Sequence, residues 1–72
     1  MEEYSRIVIQ RYCDTHNTAK SRRLKKLLEL SYDPGAEYTD ADAIYLANAI
    51  NREKDDELAE AMQDLDDYLC GW

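Results

Sequence analysis

Between Leu58 and Leu69 the apolar side chains fall at Leu58, Ala61, Met62, Leu65 and Leu69, three or four residues apart. That is the repeat of an α-helix with one face turned to a core, because 3.6 residues make a turn. The spacing recurs at Ala43, Leu46, Ala47 and Ile50, and at Leu24, Leu27 and Leu28 with Leu30 beside them. A further stripe runs through Tyr4, Ile7, Val8 and Tyr12, widened by Ile9 and Cys13. No segment alternates Val, Ile or Thr with polar residues as a strand does, and two glycines and one proline offer few interruptions. The pattern predicts an all-α single domain, a compact bundle of three to four short helices over about residues 2–14, 19–30, 40–52 and 56–70.

The punctuation agrees. Asp14–Thr18 is rich in short polar side chains that compete with the helical backbone for hydrogen bonds. Thr18 is placed to cap the second helix, and Asp33-Pro34-Gly35 stops it. Thr39 with Asp42 has the spacing of a capping box, with Asp in place of the usual Glu. Asn51–Glu57 is wholly polar. Either one long helix crosses it with a solvated middle, or Asp55 or Asp56 caps a fourth helix; the polar run favours a break. Gly71 ends the last helix.

A chain of 72 residues buries only about 60% of its unfolded surface, so such domains lean on disulfides, metal, regular packing or oligomerisation. A homodimer is therefore one expectation. No apolar run reaches the roughly 18 residues of a membrane span, and no secretory signal is visible. A cytoplasmic protein is expected, with Cys13 and Cys70 reduced. Cys13 and His16 form half of a zinc pattern, but a structural site needs four ligands and no second pair matches. No metal or cofactor is expected.

The formal charge of −7 argues against a general nucleic-acid binder, and it is unevenly placed. Residues 1–30 hold seven basic groups against four acids, and residues 31–72 hold two against twelve. The acids Glu53, Glu57, Glu60, Asp64 and Asp67 step by four and three, so they are expected to share one face of the last helix, with Asp56 and Asp66 beside it. Like charges at that spacing destabilise a helix, and anions near its C-terminus oppose the macrodipole. Such a row suits a groove lined by Lys and Arg that otherwise holds phosphates. The alternative is a solvated face that keeps the protein soluble.

Lys20, Arg22, Arg23, Lys25 and Lys26 form a basic cluster on the second helix, opposite its leucines. A helix-turn-helix is excluded, because Ser31–Tyr38 is too long a turn and the next helix opens with acids. The favoured role is a face that pairs with acids of the same chain or of a second subunit; direct nucleic-acid contact is the alternative. The six tyrosines, in a chain without Phe, suit half-buried and interface positions. Most are expected to seal the edge of a thin core; Tyr32 and Tyr38, which flank the Asp-Pro-Gly turn, are the best contact candidates, and Tyr38, Tyr45 and Tyr68 are candidate partner anchors.

Catalysis finds no support: there is one His, no nucleophile elbow and no phosphate-cradling Gly loop. In size and charge, though in no motif, the chain resembles acidic proteins that occlude nucleic-acid-binding sites. Some phage and mobile-element inhibitors of host defence, among them anti-restriction and anti-CRISPR proteins, are of that kind. The resemblance implies a non-enzymatic inhibitor or adaptor. Its acidic helix, carrying Glu53, Asp56, Glu57, Glu60, Asp64 and Asp67, would dock into the groove of a basic, nucleic-acid-binding partner, in a host cytoplasm if phage-encoded. The second expectation is a helical homodimer whose Lys20–Lys26 cluster meets the other subunit or nucleic acid.

Overall fold

The computed structural model describes residues 1–33 and 35–71. They form four helices, α1 (Glu3–Thr15), α2 (Ala19–Leu30), α3 (Asp40–Arg52) and α4 (Asp56–Leu69), and no strand. The extents are 28 × 22 × 21 Å. No helix is long and apolar enough to cross a membrane among the described residues.

The starts of α2, α3 and α4 each have a side-chain cap, and α1 starts after Glu2 without one. Thr18 and Ser21 exchange side-chain and backbone hydrogen bonds at α2, Thr18 accepting from the Ser21 amide at 3.1 Å. Thr39 and Asp42 do the same at α3. The carboxylate of Asp55 accepts from the amides of Glu57 (3.0 Å) and Leu58 (3.4 Å), so the helix breaks where the polar run predicts. At the end of α4, Gly71 takes a positive φ of 89° that other residues resist. Asp33 accepts the Gly35 amide at 3.0 Å in the turn after α2. Pro34, the expected helix stop, lies outside the described residues.

The core is built around α4, which packs on the other three helices, while α1 also packs on α2. Ile9, Leu24, Leu27, Leu28, Leu46, Met62 and Leu65 are fully buried. Each such side chain contributes about 1.5–3 kcal/mol by leaving water. Leu58 and Ala61 complete the α4 stripe, and Leu69 packs at its edge.

Three sequence expectations need correction. The core face of α1 runs through Ser5, Val8 and Ile9, with Tyr12 and Cys13 half-buried, and leaves Tyr4 59% and Ile7 46% exposed. Ser5 of α1 and Ala61 of α4 are both buried, so α1 meets α4 on the face that Ser5 shares with Val8 and Ile9. On α3, Ala47 is exposed and Leu46 alone is fully buried. The helix α1 also continues through Thr15, whose hydroxyl donates back to the Arg11 carbonyl at 2.9 Å.

Candidate functional site: an acidic face

The helix α4 carries six carboxylates and no basic side chain. With Leu58, Ala61, Met62 and Leu65 turned inward, helical spacing leaves Asp56, Glu60 and Asp67 on the outer face with Gln63, all exposed. Glu57 and Asp64 lie on the flank toward α1. There Glu57 accepts the Tyr4 hydroxyl, and Asp64 accepts the Glu2 amide at 3.0 Å. Burial pushes the Asp64 carboxyl up, but the Glu2 amide and the Ser5 hydroxyl outweigh it and hold the acid below its ordinary range. Together these groups surround a hollow of about 250 Å³, lined by Glu2, Tyr4, Ser5, Glu57, Glu60, Ala61 and Asp64. Four carboxylates around a space of that size can receive a Lys or Arg side chain, with the exposed Tyr4 ring at the rim.

The two ion pairs among the described residues do not involve α4. Glu53, expected on this stripe, is absent from it. The chain leaves helical geometry at Glu53, which caps α3 and accepts the Asp55 amide at 3.1 Å, so the stepping by four is broken. Its side chain is instead paired with Lys20 of α2. Burial raises the Glu53 carboxyl, and the Lys20 bond and charge more than offset this, leaving it below its usual value. Asp66 faces the other flank, where it accepts the Tyr38 hydroxyl at 2.8 Å. Burial, then that hydrogen bond, pushes the Tyr38 hydroxyl well above the ordinary tyrosine range.

The tyrosines divide by role. Tyr38 is a half-buried tether, and Tyr45 is half-buried under the Arg23 guanidinium at 4.5 Å, so neither stands on the acidic face. Tyr68 is 42% exposed at the edge between α1 and α4. Arg6 lies 4.3 Å from the Tyr32 ring centroid and 5.7 Å from that of Tyr68, and donates to the Ser31 hydroxyl at 2.6 Å. With Ile7, Gln10 and Arg11 it lines a hollow of about 440 Å³. Sequence reasoning missed this patch, since spacing alone places Ile7 in the core and gives no sign that Arg6 meets two tyrosines.

The basic cluster is partly neutralised within the chain. Lys20 pairs with Glu53, and Arg23 meets Asp42 at 3.0 Å. The Thr39 hydroxyl, with Arg23, holds the Asp42 carboxyl below its ordinary value despite some burial. Arg22, Lys25 and Lys26 are exposed and form no ion pair among the described residues. Cys13 and Cys70 are free thiols, and no group of three or more His, Cys, Asp or Glu among the described residues is arranged to hold a metal ion. In comparisons with known proteins, no family model, curated protein or solved structure matches the chain.

Proposed function

We propose that the protein is a non-enzymatic inhibitor or adaptor that lays the outer face of α4 into a basic groove of a partner protein, a groove of the kind that binds nucleic acid. The observation that carries this is the acidic helix itself. Asp56, Glu57, Glu60, Asp64 and Asp67 form no ion pair with Lys or Arg among the described residues, and the exposed Arg11, Arg22, Lys25, Lys26, Arg52 and Lys54 form none either; the Arg6 charge reaches Asp64 only from beyond ion-pair distance. A surface selected only for solubility interleaves both signs. A row of one sign raises the local potential and speeds encounter with an oppositely charged partner. The hollow beside Tyr4 adds a place where one partner cation can be enclosed rather than merely attracted. The resemblance in size and charge to anti-restriction and anti-CRISPR proteins supports the same reading.

The test is affinity capture from a lysate of the source organism, or of its host, with wild-type and Glu57→Lys/Glu60→Lys baits side by side. The reading expects a partner held by the wild type, lost by the double variant, and displaced by an added oligonucleotide duplex. A partner that both baits retain, or that the duplex leaves bound, refutes it.

A further inference from the structure

We propose that the groove between α2 and α3 is a second binding site, and that its occupant is the acidic α4 face of another copy of this chain. The proposal goes beyond the preceding one: it uses the α4 face as a ligand and stands whether or not a foreign partner exists. Two adjoining hollows of about 410 and 280 Å³ share Lys20 and Tyr45 and so form one shallow groove. Lys20, Arg22, Arg23 and Lys26 line it from α2, and Tyr45 and Arg52 from α3.

The groove already shows what its cations accept. Lys20 and Arg23 each hold a carboxylate of the same chain, Glu53 and Asp42, and these pairs fix both side chains in place. Arg22, Lys26 and Arg52 are exposed and form no ion pair among the described residues, so three positive charges are left over the groove. Arg22 and Lys26 stand one turn apart on α2, about 6 Å along the axis. Asp56 and Glu60, and Glu60 and Asp64, have the same separation on α4. A second helix lying along the groove can therefore pair charges turn for turn.

Two features favour a protein occupant over nucleic acid. Ile44, 63% exposed and one turn from Asn48 at the groove wall, gives the rim an apolar shoulder that a packed helix can cover. Tyr45, the aromatic ring in the groove, carries the Arg23 guanidinium at 4.5 Å, so that face is not open to a stacking base. The small core points the same way, since association hides apolar surface that the single chain leaves in water.

The experiment is sedimentation of the full chain with two charge-reversed variants, Arg22→Glu/Lys26→Glu and Glu60→Lys/Asp67→Lys, whose folding is checked by circular dichroism. At about 0.1 M salt the Debye length of about 10 Å screens the two −7 bodies from each other but not charges in contact. The wild type should then show a mass that rises with concentration above 8.4 kDa, returning to the monomer at about 1 M salt. Each variant alone should lose at least about tenfold in self-affinity, because it carries two faces of one sign. An equimolar mixture of the two variants should associate again, since each supplies the face that the other has inverted. A wild type that stays monomeric at every salt overturns the proposal. So does a mixture that fails to associate. A fluorescent single-stranded oligonucleotide that binds the monomer, and is lost with Arg22→Glu/Lys26→Glu, would transfer the groove to nucleic acid.

Discussion

Replacing Asp67 by Lys should make the protein more stable, although the change removes a hydrogen bond. Asp67 is exposed in the last turn of α4, two residues before Leu69, and its carboxylate accepts from Gln63 at 3.0 Å. That exposed bond contributes about 0.2–0.5 kcal/mol. Against it stand two gains. A cation in the last turn favours the macrodipole that an anion opposes, an effect of about 0.3–1 kcal/mol at a surface position. The repulsion between Asp64 and Asp67, three residues apart, becomes an attraction, each sign being worth about 0.2–0.5 kcal/mol. The net is a gain of about 0.5–1.5 kcal/mol. For a domain of this size 1 kcal/mol moves the midpoint by about 4–8 °C, so Tm should rise by roughly 2–12 °C. Thermal unfolding followed by circular dichroism measures it, and about 1 M salt should remove most of the gain. A lower Tm, or a gain that salt leaves untouched, would refute the claim that the acidic face is held at a cost to the fold.

Other expectations follow from the same geometry. Asp55→Ala removes the acceptor for the Glu57 and Leu58 amides and should cost about 1 kcal/mol in chemical denaturation. Leu65→Ala, at a fully buried position of α4, should cost about 2–5 kcal/mol, enough to unfold a domain of marginal stability at room temperature. Asp42, Glu53 and Asp64 all have carboxyl groups held below their ordinary values of 3.8, 4.5 and 3.8. Their contribution is therefore present above those values and is lost as the pH falls through the lowered ones. Glu53→Gln should flatten that acid limb and lower stability at neutral pH, as read from denaturant midpoints across the range.

The helices were legible because their causes are local. The stripes of α2 and α4, the caps at Thr18 and Thr39 and the break at Asp55 all depend on residues within four positions of one another. What was misread depends on partners far away in the chain. Tyr4 and Ile7 look apolar enough to be core, but α1 packs on α2 and α4 through a face one residue further round, which carries Ser5, Val8 and Ile9. Glu53 continues the acidic spacing on paper, yet the chain turns there and Lys20, 33 residues earlier, claims its carboxylate. Tyr38 and Tyr45 have the composition of interface residues, and the fold sets one to tether Asp66 and the other to support Arg23. The acidic row from Glu57 to Asp67 was legible as one helix, but its split was not, because Glu57 and Asp64 turn to Tyr4 and Glu2, distant in the chain.

The most direct test of that face is the affinity of the captured partner for Glu57→Lys/Glu60→Lys, measured beside the thermal stability of the same variant. Both residues line the hollow near Tyr4 and both are exposed, so stability should stay within about 1 kcal/mol of the wild type. Affinity should fall by at least about a hundredfold, because reversal at two contact positions turns attraction into repulsion. Equal affinity in a folded double variant would contradict the account.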